Sequence, residues 1–320
     1  MDFEILQLFL DICELCSFSR AASLHGVSQS AISQRMAQLE RHVGHKLFDR
    51  RARPLRLTPA GEIVYESVRR MMAVHNHMRS HLEDLQPSLS GPVRLGCIFS
   101  LAIGPLRHVL RQFLREAPRV ELHVSHDETY ELAQNVVNGL LDLAIVAYGE
   151  KMEGIQIENA GSEPMLLVAS PHAKNLPAGP VAISWLEKQP FITFPNHSPT
   201  RQAIDAVFNQ LHIRPNMVLE VANPVVLVEA VAAGRGLALL PFSSVVTELE
   251  RKELVRLACP EVEFSRPICI LLHRRRPRTR ATRVLADFLT ANLPRLQADW
   301  HTLARSGFNG SIGKAAGENH

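Results

Sequence analysis

The chain has 320 residues, of which 46% are hydrophobic and 21% charged. This is the composition of an ordinary globular protein with room for two or three domains. There is no run of about 18 apolar residues, so we expect no membrane span. There is no basic segment followed by an apolar one, so we expect no secretory signal and a cytoplasmic location. The five cysteines are scattered and are expected to be reduced thiols, and a net charge of +3 does not by itself indicate a nucleic-acid partner.

A helix-turn-helix pattern occupies residues 17–40. Gly26 provides the positive φ that a tight turn between two helices requires. Leu24 and Val27 are expected to be buried where the two helices meet. Ser28 is expected to cap the second helix.

The outward face of the second helix carries short hydrogen-bonding side chains and one long cation. Such side chains can read base edges and phosphates in a major groove. An ordinary solvated helix is the alternative, but the small alanines, the turn glycine and the capping serine together favour DNA recognition. The residues predicted to contact DNA from this helix are Ser28, Gln29, Ser30, Ser33, Gln34 and Arg35.

A basic segment follows this helix. Residues 35–56 contain seven arginines and lysines but only two acidic residues, which favours contact with phosphates. Pro54 and the alternating Leu55 and Leu57 predict a β-hairpin, or wing, with a basic tip. The alternative is an exposed loop that touches nothing. The wing residues predicted to contact DNA are Arg50, Arg51 and Arg53.

A long helix is predicted to begin at Thr58 and Pro59, with the threonine as its cap. Its apolar residues recur at steps of four and three, the spacing of a coiled coil. Pairing with a second copy of the chain is the simplest way to cover this seam, and packing against the chain's own second domain is the alternative. The predicted dimer seam is Val64, Val68, Met71, His75, Met78, Leu82 and Leu85.

Strands and helices alternate twice after residue 91, first up to about residue 146 and again from residue 165. This alternation predicts parallel sheets with helices on both faces. Two such units joined by two crossovers would hold a cleft where strand ends and helix N-termini converge on a small ligand. Residues 301–320 are rich in small polar residues and are expected to be disordered.

The segments SFSRAASLHGVSQSAISQRMAQLE and GHKLFDRRARPLRLTPAGE resemble the N-terminus of LysR-type transcriptional regulators. A weaker resemblance runs to about residue 293 through LDLAI and AAGRGLALLP. Many members of the family have proline where Ser30 stands and arginine where Gln34 stands. Whether Gln34 or Arg35 contacts DNA therefore stays open.

The resemblance implies an N-terminal all-α winged helix-turn-helix with a long linker helix, followed by a C-terminal α/β effector domain with two lobes, like a periplasmic binding protein. It also implies a homotetramer built from dimers, and a regulator of transcription. Because no nucleophile–base pair and no set of metal ligands emerges from the sequence, we expect no enzymatic activity, no cofactor and no metal. Promoter DNA, a small-molecule effector and, for an activator, RNA polymerase would be the partners. The expected boundaries are 1–58 for the DNA-binding domain, 59–90 for the linker helix, 91–300 for the effector domain, about 91–163 with 267–300 for lobe I, and about 164–266 for lobe II.

In that family the effector lies between the two lobes. A hydroxyl at Ser100, with free backbone N–H groups at the start of a helix, would bind a carboxylate. Residues 97–104 are most similar to regulators of aromatic-compound degradation, which favours an organic acid and within that class an aromatic one. As alternatives, Ser100 and Asn223 only cap helices and Phe194 belongs to the core. The predicted effector site is Phe99, Ser100, Leu101, Tyr148, Phe194, Asn196, Ser198, Thr200, Asn223, Val225 and Pro241.

Other functional motifs are weak. Cys13 and Cys16 form a lone CxxC without a second pair at zinc spacing, so core packing is favoured over metal binding. No G-x-S-x-G and no phosphate-binding loop occur. Two competing functions remain: a ligand-binding protein that uses its N-terminus only to dimerise, and a constitutive DNA-binding protein without an effector response.

Overall fold

The protein divides near residue 87 into two compact units, each with its own hydrophobic core. No helix of the described chain combines the length and apolarity needed to cross a membrane. The computed structural model describes residues 2–49, 51–52, 54–83, 88–104, 106–173, 176–177 and 179–306.

The first unit is a winged helix-turn-helix followed by a long helix. Ser28 caps α3 by accepting a hydrogen bond from the backbone N–H of Ala31, and Gly26 (φ 63°) forms the turn before it. β1 and β2 pair antiparallel as the predicted hairpin. The elements are α1 (Phe3–Leu15), α2 (Phe18–Leu24), α3 (Gln29–Val43), β1 (Phe48–Asp49), β2 (Arg56–Leu57) and α4 (Pro59–Glu83).

Two side chains expected between α2 and α3 are exposed instead. Leu24 is 65% exposed and Val27 is 38% exposed, so their predicted burial is wrong. The residues of α2 that are buried are Ala21 and Ala22. Their small side chains let α2 pack closely on the core, and larger side chains at the end of this short helix are left at the surface.

The predicted dimer seam on α4 belongs to two different faces. Val68 is buried in the core of the first unit, Val64 packs against that core, and the ring of His75 stacks on Phe3 at 4.2 Å. These three residues therefore do not form a free seam, which corrects the prediction. Leu85 lies outside the described residues. The exposed apolar residues of α4, here called the linker seam, are Ile63, Met71, Val74, Met78 and Leu82.

The second unit contains two lobes. Lobe I is built from β3 (Gly91–Cys97), α5 (Phe99–Ile103), α6 (Leu106–Glu116), β4 (Val120–His126), α7 (Thr129–Asn138), β5 (Leu143–Ala147) and α12 (Arg280–Ser306). Lobe II is built from α8 (Ile183–Leu186), β7 (Pro190–Thr193), α9 (Pro199–Gln210), β8 (Asn216–Glu220), α10 (Pro224–Ala232), β9 (Ala238–Pro241), α11 (Val246–Glu250) and β10 (Val255–Arg256). The two strands that connect the lobes are β6 (Ile155–Ala169) and β11 (Phe264–His273).

The main sheet is mixed rather than parallel, which corrects the sequence prediction. Its strand order is β10-β6-β11-β5-β3-β4, and β9 also pairs with β6. Only β3 with β4 and β3 with β5 are parallel pairs in it, whereas β6 and β11 run antiparallel to their neighbours. The difference arises because β6 and β11 cross between the lobes in opposite directions. A separate parallel pair is formed by β7 and β8.

The last helix is longer than expected. The sequence analysis placed a disordered tail from residue 301, but α12 continues through Pro294 to Ser306. The residues after the proline are mostly strong helix formers, which explains the continuation. Residues 307–320 lie outside the described part of the chain.

Candidate functional sites

The outer face of α3 is accessible. Gln34 and Arg35 are exposed and Ser33 is half-buried. Gln29 and Ser30 are also exposed, but each takes part in a local hydrogen bond: Ser19 Oγ donates to Gln29 Oε1 at 3.0 Å, and Ser30 Oγ lies 2.9 Å from Ser28 Oγ. Because Ser28 is also the helix cap, its side chain has a structural role whether or not it contacts DNA.

A buried carboxylate connects α3 to the wing. Glu40 is 4% exposed and accepts hydrogen bonds from the backbone N–H of Leu47 and from Lys46 Nζ, both at 3.0 Å. Of the three predicted wing arginines, Arg51 is exposed, while Arg50 and Arg53 lie outside the described residues. The carboxylate therefore fixes the segment between α3 and β1, from which the basic wing projects.

The start of α4 packs closely against the same segment. A Cβ atom added at Gly61 would lie 2.1 Å from the backbone oxygen of Leu47. Thr58 Oγ1 donates to the carbonyl of Lys46 at 2.6 Å and accepts from the N–H of Gly61 at 3.0 Å. The helix pair, the wing and α4 thus form one packed unit.

A cleft of about 750 Å³ lies between the lobes of the second unit. It is bounded by the end of β3, by the segment after β4, and by the N-termini of α7, α9 and α10. This placement agrees with the expected ligand position at strand ends and helix starts. Six predicted residues line it: Phe99, Ser100, Phe194, Ser198, Thr200 and Asn223.

Five predicted residues lie elsewhere. Leu101 is buried in the core of lobe I, and Pro241 pairs with β6 at the end of β9. Val225 is 44% exposed outside the cleft, Asn196 is absent from its walls, and Tyr148 packs against the lobe I core. Neighbouring positions on short elements point in different directions, so the predicted segments border the cleft while six of their eleven predicted residues line it.

The structure adds cleft residues that sequence reasoning missed. Asp127 and Glu128 follow β4, where the general expectation that strand ends border a ligand cleft could have found them. Glu150 follows β5 in the same way. Arg266 carried no local signal, because its position in the cleft depends on a pairing between β11 and the distant strand β6.

A buried ion pair forms the floor of the cleft. Arg266 and Glu163 are 1% and 0% exposed, and they face each other across β11 and β6. Arg266 donates from Nε and Nη2 to Glu163 Oε2 at 2.8 and 2.7 Å, and its Nη2 also donates to Ser100 Oγ at 3.0 Å. Glu163 Oε1 accepts from the backbone N–H of Ser243 at 2.8 Å. The network therefore joins α5 of lobe I to the segment after β9 in lobe II.

Tyr148 lies close to this network without bonding to it. Burial raises the pKa of Tyr148 to about 12, with a smaller raising effect from Glu163 and a lowering effect from Arg266. Its hydroxyl is buried and has no hydrogen-bond partner among the described residues. The residue adopts a left-handed backbone conformation (φ 53°), which only a few per cent of non-glycine residues do. It is a neutral tyrosine held beside the floor of the cleft.

The charges around the cleft are uneven. Asp127, Glu128 and Glu150 supply three carboxylates on the lobe I side, whereas Arg266 is already paired with Glu163. On the lobe II side the N-termini of α9 and α10 present their positive ends. His197 lies 3.5 Å from Glu128 across the cleft, but both side chains are more than 60% exposed, so this contact adds little stability.

Two family models match the chain. One, described as a LysR substrate binding domain, matches residues 86–294, and the other, a bacterial regulatory helix-turn-helix protein of the lysR family, matches residues 3–62. The chain belongs to the LysR family. It is a LysR-type transcriptional regulator, with a DNA-binding helix-turn-helix and an effector-binding domain. Its two-domain fold is the one expected from the sequence.

Individual relatives agree with this assignment. The transcriptional activator IlvY of Salmonella typhimurium is 30% identical over 253 residues, which cover 75% of this chain and 82% of IlvY. The crystal structure of full-length CbnR with its target DNA has a TM-score of 0.70 at 19% identity, covering 91% of this chain and 99% of CbnR. The effector binding domain of QuiR with shikimate has a TM-score of 0.56 at 19% identity, covering 66% of this chain and 98% of that domain. The two structural similarities concern the fold.

Proposed function

We propose that this LysR-family regulator reads operator DNA with the outer face of α3, pairs with a second copy through the linker seam, and responds to a small organic ligand in the cleft. The exposed polar face of α3, held against a basic wing by Glu40, is the observation that carries the DNA-binding role. A regulator of chromosomal genes would act in the cytoplasm. If it activates transcription, RNA polymerase is its further partner.

The contribution of α3 to DNA binding can be tested by substituting its exposed side chains. Gln29→Ala and Gln34→Ala should lower the preference for operator over random DNA, because a bidentate contact to a base contributes about 1–3 kcal/mol of discrimination. Arg35→Ala should weaken binding to both DNAs alike if its contact is with phosphate. Gln112→Ala, on the exposed face of α6, is the matched control. Unchanged discrimination in both glutamine variants would contradict the assignment.

The linker seam supports dimerisation. Its five apolar side chains are between 46% and 71% exposed and recur along one side of α4. Such a seam is stabilised when a second helix covers it. Val74→Glu should therefore shift the purified protein toward monomer in sedimentation velocity, while Val284→Glu, an exposed valine outside α4, should not. Equal sedimentation of both variants and the wild type would refute this interface. Assembly of dimers into a tetramer is part of the same proposal.

The cleft supports a ligand with an acidic group. Ser198 occupies the N-cap position of α9 without capping it, and the nearby Thr200 lines the cleft, so both hydroxyls can donate to a carboxylate. The three carboxylates on the lobe I side favour an additional amine or hydroxyl on the ligand. A ligand screen should therefore compare aromatic acids with hydroxy acids and amino acids.

The stabilisation expected from a bound ligand is large enough to be measured in a thermal melt. A ligand at about 100 times its Kd stabilises the folded protein by about 2.7 kcal/mol, or about 5–10 °C in the melting temperature of a domain this size. Thr200→Val should reduce that shift, whereas Thr247→Val, on α11 outside the cleft, should leave it unchanged. If no compound of these classes stabilises the protein, the constitutive DNA-binding alternative is favoured.

A further inference from the structure

A second cavity in the first unit contains two thiols. It has a volume of about 340 Å³ and is lined by the end of α1, by both wing strands and by the first turns of α4. Cys13 and Cys16 both line it, together with the aromatic rings of Phe48 and Tyr65. The DNA-binding role proposed above assigns nothing to these cysteines.

The two thiols are placed on one side of the same helix end. Cys13 lies in the last turn of α1 and Cys16 is the residue that ends it. The backbone N–H of Cys16 donates to the carbonyl oxygen of Cys13 at 3.3 Å, so one tight turn joins the two residues. The Cys16 thiol donates to the carbonyl oxygen of Cys13 at 3.3 Å, so its sulfur is turned back over the turn that carries the other thiol.

Accessibility separates this pair from the other cysteines. Cys16 is exposed and Cys13 is partly exposed, whereas Cys97, Cys259 and Cys269 are buried. Cys16 also occupies a left-handed position (φ 47°), where glycine would end the helix with less strain. Two neighbouring thiols that open into one cavity can bind a single atom together as a bidentate ligand.

We propose that Cys13 and Cys16 form a dithiol site for trivalent arsenicals. Such a ligand is soft, prefers thiol sulfur and joins two sulfurs to one arsenic atom. With an arylarsenoxide, two As–S bonds form, the arsenic–oxygen double bond breaks, and the oxygen leaves as water with both thiol protons. The reaction needs no oxidant or reductant. The aryl group on arsenic would lie in the cavity against Phe48 and Tyr65.

The order in which the two As–S bonds form follows from the accessibility of the two thiols. Cys16 is the more exposed thiol and bonds to arsenic first. Burial raises the pKa of Cys13 to about 12, so this thiol is a poor nucleophile toward simple alkylating agents near neutral pH. It reacts with the arsenical because the first bond holds the arsenic beside it.

An occupied site would disturb the wing. Leu55, Arg56 and Leu57 line the same cavity, so an aryl group there contacts the strand that supports the basic tip and can alter its position. We therefore expect weaker DNA binding by the arsenical adduct. This consequence rests on the proposed DNA-binding function, whereas formation of the adduct does not.

The test uses the reduced full-length protein and phenylarsine oxide, followed by intact mass spectrometry. We expect one adduct per chain, formed with the loss of one water molecule. The dithiol 2,3-dimercaptopropanol should remove the arsenical from the protein, whereas a monothiol at the same total thiol concentration should not. Cys16→Ser, at an exposed position, and Cys13→Ser should each abolish the stable adduct. Far-UV circular dichroism verifies that the variants fold, and Cys16→Ser carries the test if Cys13→Ser does not.

Two results of the mass measurement would overturn the dithiol site: a stable adduct on Cys16→Ser, or no adduct on the folded wild type. In a parallel DNA-binding assay, the arsenical should weaken the wild type and leave Cys16→Ser unaffected. Weakening of both would attribute the effect to another site, and failure of the untreated protein to bind any DNA would refute the proposed function while leaving the mass result intact.

Discussion

The ion pair on the floor of the cleft gives the sharpest prediction about stability. Arg266→Met removes the guanidinium and keeps a side chain of similar length. Glu163 would then be left at 0% exposure, with the backbone N–H of Ser243 as its remaining donor among the contacts of this network. Ser100 would also lose the hydrogen bond that it accepts from Arg266.

The expected cost can be worked from this geometry. Removing one partner of a fully buried ion pair costs about 3–5 kcal/mol, because the other charge stays in a site without water. For a domain of this size, with an m-value of about 3 kcal/mol/M in urea, the midpoint of unfolding should fall by about 1–2 M. Replacing both residues by methionine should cost less than the sum of the two single changes, since neither charge is then stranded.

Tryptophan fluorescence in urea is a suitable assay, because Trp185 and Trp300, the two tryptophans, both belong to the second unit by sequence. Arg278→Met is the matched control. Its partner Glu158 is 29% exposed, so its loss should cost no more than about 1 kcal/mol. If Arg266→Met and Arg278→Met have equal midpoints, or if the variant with both Arg266 and Glu163 replaced shows no coupling, the buried pair does not contribute to the stability of the second unit.

Two further predictions concern close packing and ionisation. Gly61→Ala should destabilise the first unit by about 1–3 kcal/mol, because its Cβ would lie 2.1 Å from the backbone oxygen of Leu47. Thermal melts measure the effect, with Gly179→Ala as the control, since a Cβ added there meets nothing within 4 Å. Equal melting temperatures of the two variants would contradict the close packing at Gly61. Tyr148→Phe should change stability little below pH 10, since the hydroxyl has no partner among the described residues. Because burial raises the pKa of Tyr148 from 10.0 to about 12, ionisation favours the unfolded chain, and wild-type stability should fall between pH 10 and 12 by more than that of the variant. A parallel decline of both in urea titrations would contradict the burial.

Local signals predicted the DNA-binding unit well. The cap at Ser28, the turn at Gly26 and the hairpin after Phe48 depend on neighbours within a few residues. The heptad on α4 was ambiguous, because an apolar spacing shows that a face is covered but not by what. Val68 is covered by the core of its own unit, whereas Val74 is exposed.

The cleft was predictable in outline and not in detail. The family resemblance pointed to the segments that contain Ser100 and Thr200, and both residues line the cleft; the rule that strand ends border a ligand cleft, applied after β4, would have added Asp127. The pairing of Arg266 with Glu163 joins residues 103 positions apart through the register of two crossing strands, which no local pattern encodes. The mixed direction of the main sheet escaped prediction for the same reason.

The central claim is that the first unit binds DNA through α3 and a basic wing, and a salt titration tests it most directly. Binding of the full-length protein to the region upstream of its own gene would be compared with Arg50→Ala/Arg53→Ala and with Arg111→Ala/Arg115→Ala, which removes two exposed charges from α6. Each lost phosphate contact lowers the slope of log affinity against log salt by about one unit, so the wing variant should lose about two and the α6 variant none. Identical slopes in all three proteins would contradict the wing contacts, and the absence of salt-dependent binding to any DNA would contradict the account as a whole.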